Sequence, residues 1–355
     1  MMGGLGIVGT GRWADAHARA AGRSDGVRVV NCFSRTATRR QAFAARHGVD
    51  RASASLAELL DDPAVEAVVV SSPNDLHVQH ALEVLGAGKP VLVDKPLAID
   101  TREGIPLLRL ARGSPPIGVA HHARRLAGHR VAAEWMESGR AGRVRAAHAD
   151  FSNPRGAALA SDSWYRSAGG SEAGVLIQVG IHQIDNLLHL LGPAREVGAL
   201  LEQGTEGLTI PDLAMVTMRH SSGAISVVSA SWTTPSHYRL DLLATEGNLE
   251  FRLDHRRWTE PDVDRHSSLT LDNGGRPQEV VLDPGDPLRE ELEELIASAR
   301  EGKPMGVSVF EGLRAVAVVE AAVRSAGLDG RVVRLEELLG AAGASRAETQ
   351  QIIGA

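Results

Sequence analysis

Leu5-Gly6-Ile7-Val8-Gly9-Thr10-Gly11-Arg12-Trp13-Ala14 decides how the first third of the chain is read. A short apolar, strand-like run ends at glycine, and Gly9, Gly11 and Ala14 follow in the spacing G-x-G-x-x-G/A. Asp15 to Gly22 is helical in composition. In such a strand–turn–helix unit the first glycine allows the tight turn, and the second lets a pyrophosphate approach the backbone. The third position must be small so that the helix packs on the strand. The pyrophosphate then meets free N–H groups and the positive end of the helix dipole. The spacing alone is weak evidence. Its placement after a strand and before a helix, with a second βαβ unit behind it, makes it strong against a merely structural glycine turn.

Working outward, strand-like and helix-like segments alternate. Val27 to Phe33 reads as a strand and Thr36 to His47 as a helix closed by Gly48. Leu56 to Leu60 is a short helix, and Val65 to Val70 has the β-branched run of a parallel strand buried on both faces. His77 to Ala87 is a helix and Pro90 to Val93 the next strand. This alternation predicts an α/β Rossmann domain over residues 1–120 with a parallel, doubly wound sheet. After about Gly118 the texture changes. Strand candidates at Arg143–Phe151, Ala214–Arg219, Ala224–Trp232, Arg239–Ala244, Leu249–Leu253, Ser268–Leu271 and Glu279–Leu282 are joined by tight turns. They predict an α+β domain over 121–355 with a large, mostly antiparallel sheet. Helices are expected at Val131–Ser138, Leu176–Leu191, Leu288–Glu301 and Phe310–Ala326, and a loosely held Ala/Gly-rich end from about Gly340.

The chain has 355 residues, enough for two domains. A formal net charge of -6 argues against a nucleic-acid or anionic-membrane surface. The single cysteine, Cys32, lies in an apolar run and reads as a small buried hydrophobe; no internal disulfide is possible. Met1 to Val8 lack a basic region and cleavage site, and no apolar run approaches a membrane span, so a cytoplasmic protein is expected.

Three further stretches carry chemistry. At the end of the second strand, an acidic residue would bond the 2′-hydroxyl of NAD. Here Ser34 and Arg35 follow Phe33, with Arg39 a helical turn on, and a hydroxyl with guanidinium groups suits a 2′-phosphate. NADP is favoured over NAD; solvated surface arginines are the competing reading. Val91-Leu92-Val93-Asp94-Lys95-Pro96-Leu97 places Lys95 at the C-terminal end of a buried strand, where ligands of open α/β sheets gather. It reads equally as an acid–base lysine or as a structural or phosphate-binding one. Gln178, His182, Asp185 and His189 recur at helical steps on one face beside an apolar stripe. His182 is a candidate proton shuttle or a satisfied core histidine. A metal is not expected, because one helix face rarely supplies three tetrahedral ligands.

These motifs, in their order, resemble the Gfo/Idh/MocA family of oxidoreductases over nearly the whole length. The resemblance rests on Gly9 to Ala14, on Ser72-Pro73-Asn74-Asp75-Leu76-His77, on Gly88 to Leu97, and on Gly180-Ile181-His182-Gln183-Ile184-Asp185. Asp94-Lys95-Pro96 corresponds to that family's Glu-Lys-Pro motif. The resemblance implies hydride transfer between a secondary alcohol or ketone, usually of a sugar or cyclitol, and nicotinamide. Lys95 would orient and polarise the reacting oxygen, and His182 would exchange its proton. Gly9, Thr10, Gly11, Arg12, Trp13, Ser72, Asn74, His77, Asp94 and His121 would lie near the cofactor; Arg124, Trp164 and Arg166 would line the substrate site. A homodimer or homotetramer through the C-terminal sheet is implied. The chain departs from the family at Gln178, where many sugar dehydrogenases carry aspartate. A neutral amide cannot carry the charge that supports an imidazolium, so Lys95 takes more of the proton transfer, or Asp185 assists His182, or the direction is carbonyl reduction. Two other readings stand beside this one: a lyase or glycosidase using bound cofactor for transient oxidation, which would show no net cofactor turnover, and a non-enzymatic dinucleotide-sensing regulator.

Overall fold

The computed structural model describes residues 2–111, 113, 115–156, 159 and 172–354. The chain forms two compact units. The first comprises Met1–Ala98, Glu103–His122 and Asp286–Gly312; the second comprises Ile99–Arg102, Ala123–Gly285 and Leu313–Ala355.

The first unit runs β1 (Gly3–Val8), α1 (Arg12–Ala21), β2 (Val27–Phe33), α2 (Ala37–His47), β3 (Arg51–Ser53), α3 (Leu56–Leu60), β4 (Ala67–Val70), α4 (His77–Gly86) and β5 (Val91–Asp94). Helix α5 (Thr101–Leu110) and strand β6 (Ile117–Ala120) follow. The strands lie in the order β3-β2-β1-β4-β5-β6, every pairing parallel. Every residue of β4, β5 and β6 is buried, as strands covered on both faces require. The strand order turns back at β1, with β2 and β3 on one side and β4 to β6 on the other, so the ends of β1 and β4 form the switch point at which such sheets bind ligands. Gly48 caps α2 in the left-handed conformation, as expected. Helix α5 escaped sequence reading because Pro106 stands inside it, where proline usually signals a break.

The helix Pro287–Glu301, expected with the C-terminal sheet, packs in the first unit. Leu288, Leu292, Leu295 and Ile296 join the core formed by Leu5, Ile7, Ala14 and Val69. Asp286 caps its start and also receives Nε and Nη2 of Arg23 at 2.7 and 3.0 Å. That ion pair joins residues 263 positions apart, a link no local pattern announces.

In the second unit, α6 (Ala127–Glu137) precedes β7 (Val144–Ser152), and α7 (Ile181–Leu191) precedes β8 (Ala194–Glu202), β9 (Leu213–His220), β10 (Ile225–Ser231), β11 (His237–Ala244), β12 (Asn248–Leu253), β13 (Ser267–Asp272), β14 (Gln278–Glu279) and β15 (Val333–Arg334). Among the described residues these form one sheet, β14-β13-β12-β11-β7-β10-β9-β8-β15. Its pairings are antiparallel except β7 with β10. Strict alternation of exposed and buried residues along β9 marks a sheet covered on one face. The other face presents Leu200, Met215 and Ile225, respectively 62%, 45% and 45% exposed. The end of the chain is not loosely held. Helices Leu335–Ala342 and Arg346–Ile353 are both formed, the second with a reciprocal capping box between Ser345 and Glu348, and Ile352 and Ile353 are buried. No helix among the described residues is long and apolar enough to cross a membrane.

Candidate active site

In the first unit the glycine turn is built as its spacing requires. Gly9 adopts φ +110°, and a Cβ there would lie 2.3 Å from the carbonyl oxygen of Ser71. Only glycine fits. Its amide donates to the carbonyl of Phe33 at 2.8 Å, tying the turn to the end of β2. Gly11 is different: a Cβ added there meets nothing within 4 Å. The protein does not need its smallness for packing, and the open space lies at the start of α1, which carries no side-chain cap. Such space beside uncapped N–H donors fits a dinucleotide phosphate. Ala14 is fully buried against the sheet. Thr10 and Trp13 are half-buried, and Arg12 is exposed. Beyond β2, Ser34 is half-buried while Arg35 and Arg39 are exposed.

On the neighbouring loop, the Oγ of Ser72 lies 2.9 Å from Nδ1 of His80. Asn74 is buried, yet its Nδ2 has no hydrogen-bond partner among the described residues. A buried donor left without a protein acceptor fits a group kept for a ligand. His77 is buried between two backbone carbonyls, of Pro96 at 2.7 Å and of Ser72 at 2.8 Å.

Asp94 ends β5, and the Lys95–Pro96 peptide after it is cis. Oδ1 of Asp94 lies 2.8 Å from Nε2 of His17, both groups buried. Burial alone would raise the carboxyl and lower the imidazole. Their mutual attraction and hydrogen bond outweigh it, so Asp94 is held below the ordinary carboxylate range and His17 above the ordinary imidazole range. Lys95 is 9% exposed. Together with Trp13, His17, Asp94, Ala120 and His122 it lines a small pocket. The rings of Trp13 and His122 stand 5.3 Å apart. Burial, with the positive neighbours His17 and Lys95, pushes His122 down to about 3. His121, beside it, is buried at the end of β6. Sequence reading missed His17 and His122. The available signal was a single imidazole in an alanine-rich helix on the face that Ala14 and Ala21 bury.

In the second unit, Gln178 lies in a π-helical turn, Leu176–Gly180, and α7 begins only at Ile181. The expected single α-helical face from Gln178 to His189 is therefore interrupted, because a wider turn shifts the phase of the residues before it. Gly180 permits the turn: a Cβ there would lie 2.7 Å from Leu176 and 3.2 Å from Ala230. His182 is 2% exposed, its ring 5.2 Å from that of Trp258 and 5.7 Å from that of Phe151. Both carboxylate oxygens of Asp185 accept from Arg124, at 2.6 Å from Nη2 and 2.7 Å from Nε. Side-chain exposures of 1% and 7% make this a buried bidentate pair. The structure thus brings together Arg124, expected at the substrate, and Asp185, expected beside His182. Arg124 Nη1 also approaches Nδ1 of His189 at 3.4 Å. Behind α7, Tyr238 Oη meets His129 Nε2 at 2.7 Å and Asn186 Nδ2 at 3.2 Å, while Gln183 Nε2 donates to the carbonyls of Asp150 and Arg239. Burial pushes His129 down to about 3, and the Tyr238 hydroxyl well up. Trp164 and Arg166 lie outside the described residues. Among the described residues no cluster of three metal-ligating side chains occurs.

A parallel sheet reversing at an open glycine turn, with a buried lysine at a strand end, defines the class as a dinucleotide-dependent oxidoreductase. Comparison with known proteins gives the family. Residues 4–119 match the oxidoreductase family with an NAD-binding Rossmann fold, and residues 129–250 match the GFO/IDH/MocA C-terminal domain. A 1,5-anhydro-D-fructose reductase of Ensifer adhaerens is 30% identical, the match covering 79% of this chain and 83% of that protein. An NADP(+)-dependent scyllo-inositol 2-dehydrogenase of Bacillus subtilis is 24% identical over 79% of this chain and 82% of its own. Among solved structures, a protein of Desulfitobacterium hafniense assigned as an NADPH-dependent oxidoreductase superposes with a TM-score of 0.91 at 29% identity, covering 96% of this chain and 99% of that one. The chain belongs to the GFO/IDH/MocA family and is an NAD(P)-dependent oxidoreductase.

Proposed function

We propose that the protein interconverts a secondary alcohol and a ketone of a sugar, cyclitol or related cyclic substrate, with NADP preferred. The observation that carries this reading is Lys95, buried at the end of β5 in a pocket shared with Trp13, His17, Asp94 and His122. When bound, the nicotinamide supplies or accepts the hydride. Gly9, Thr10, Gly11, Arg12, Trp13, Ser72, Asn74, Asp94 and His121 would hold the dinucleotide, while His77, expected near it, has both ring nitrogens on backbone carbonyls. Lys95 donates to the reacting oxygen, and its charge stabilises the oxyanion that develops there. His182 exchanges the hydroxyl proton. Gln178 hydrogen-bonds substrate, Trp164 and Arg166 line its site, and Asp185 with Arg124 fixes the helix that carries His182. Ser34, Arg35 and Arg39 take the 2′-phosphate of NADP; the preference is supported by a hydroxyl and two guanidinium groups where an NAD enzyme places a carboxylate. The relatives named above act, by name, on an anhydroketose and an inositol, which supports the substrate class.

The test is turnover with NADPH and 1,5-anhydro-D-fructose, and with NADP+ and scyllo- and myo-inositol or levoglucosan. Net cofactor oxidation or reduction with a member of this panel supports the reading; tight cofactor binding with no net turnover on any of them contradicts it.

The protein acts in the cytoplasm as a homodimer or homotetramer joined through the open face of its large sheet. Leu200, Met215, Ile225 and Leu243 supply exposed apolar area there, and a second copy of the same face is the partner that covers it. Met215→Glu is expected to shift the light-scattering mass from the oligomer to the monomer. An unchanged mass would exclude this face.

A further inference from the structure

The turn that carries Lys95 is gripped on both sides. Before the lysine, the carboxylate of Asp94 is held by His17 of α1 at 2.8 Å. After it, the carbonyl of Pro96 is held by His77, the first residue of α4, at 2.7 Å. The second nitrogen of His77 reaches the carbonyl of Ser72 at 2.8 Å. Ser72 is held again through its hydroxyl by His80, one helical turn further on. Proline has no N–H, so its carbonyl is the one polar backbone group by which Pro96 can be fixed. The four groups are buried, His17 and Asp94 at 0% and 7% exposed, His77 and Lys95 at 1% and 9%.

An imidazole is rigid and sets one ring nitrogen against each carbonyl, so His77 stands between the loop after β4 and the turn after β5 and ties them to the start of α4. His17 joins the same turn to α1, the helix that begins at the glycine fingerprint. A lysine side chain has four rotatable bonds and much rotamer entropy to lose. Fixing its backbone from both sides reduces the space its amine can explore, and small misplacements of a reacting group cost rate steeply.

We propose that His17 and His77 are positioning residues for Lys95, clamping the turn on either side of the lysine and acting on the reaction only through it. The proposal rests on the catalytic reading of Lys95, and its test is built to separate the two. The chain holds three lysines, Lys89, Lys95 and Lys303. Reductive methylation with 13C-formaldehyde keeps their charge and gives few NMR signals, that of Lys95 being identified by its loss in Lys95→Arg. In His77→Phe the Lys95 signal is expected to move toward that of Lys303 in shift and width. With NADPH and 1,5-anhydro-D-fructose, kcat is expected to fall about tenfold while KM and NADPH affinity stay within about threefold. His77→Gln keeps a single donor nitrogen, which cannot sit at both carbonyls as the two ring nitrogens do, and gives an intermediate displacement; should His77→Phe not fold, this variant decides. His17→Gln, which keeps a donor to Asp94 without the charge, moves the signal in the same direction by less. An unmoved Lys95 signal in the His77 variants overturns the proposal. Full turnover in Lys95→Ala, with the signal still displaced in His77→Phe, would remove the catalytic reading of the lysine and leave the clamp standing.

Discussion

The first unit announces its glycine turn and its lysine-bearing strand by signals local in sequence, whereas the second hangs its histidine-bearing helix on side chains distant in sequence. Gly9, at φ +110°, leaves no room for a Cβ, and Lys95 follows directly from a strand whose every residue is buried. Glycine spacing and a β-branched run announce both, although Ser71 closes on Gly9 and His17 on Asp94 from far along the chain. In the second unit, α7 is fixed by Arg124 on Asp185, 61 positions away, and by His129 and Tyr238 around Asn186. The strands and turn of one region are legible in neighbouring residues; the helix of the other depends on pairings that only the folded chain brings about.

The largest effect is expected at the lysine. Lys95→Ala is expected to lower kcat by about a thousandfold or more while leaving NADPH affinity within a few-fold, because the lysine acts on the transition state. Stopped-flow rates and a binding titration on the same preparation check this; near-normal turnover would make the lysine structural.

The second unit is expected to fail in stability first. Arg124→Ala leaves the Asp185 carboxylate buried without its guanidinium and should cost about 3–5 kcal/mol. Asp185→Leu combined with Arg124→Met should recover most of it, since removing both charges removes the burial penalty. A thermal shift of less than about 2 °C for Arg124→Ala would show that α7 is held by something else.

At the edge of the first unit, Arg35→Ala should weaken NADPH by about tenfold and NADH by less than twofold, the loss of one charge-assisted contact. Equal losses would mean that Arg35 does not read the 2′-phosphate.

The pH dependence of stability runs in both directions. His129 is held neutral by burial, down to about 3 against an ordinary 6.5. Below 6.5 the unfolded chain takes up a proton that the folded chain refuses, so stability falls with acidification by about 1.4 kcal/mol per pH unit until the folded value is reached. His17 is raised by Asp94, so its contribution is complete below 6.5 and lost as pH rises through its folded value. The lowered Asp94 contributes above its ordinary range and is lost as pH falls through its folded value. His129→Gln should therefore flatten the acid side of the stability profile and His17→Asn the alkaline side. Denaturation at several pH values reads both.

What the sequence made legible follows the same division. The Rossmann unit could be read because glycine spacing, β-branched runs and strand-end position are local signals. Gly9, Gly11, Ala14 and Lys95 stand where those signals put them, and Gly48 caps its helix as expected. The helix Pro287–Glu301 joined the first unit because Asp286 pairs with Arg23 and its leucines fill that core, neither visible nearby in sequence. Gln178 left the expected helical face because the chain widens into a π turn at Leu176–Gly180, a phase change that hydrophobic periodicity does not register. Asp185 stands out on a polar helix face and Arg124 only through the family resemblance, and neither signal makes them partners of each other. His17 was missed because an imidazole among alanines reads as surface until its acceptor, Asp94, is known.

The most direct test of the account is a fluorescence titration of the purified protein with NADPH and with NADH, after checking for cofactor that co-purifies. Saturable binding of both is expected, with NADPH tighter by about tenfold or more. Binding of neither would contradict the reading of the glycine turn on which every later step depends.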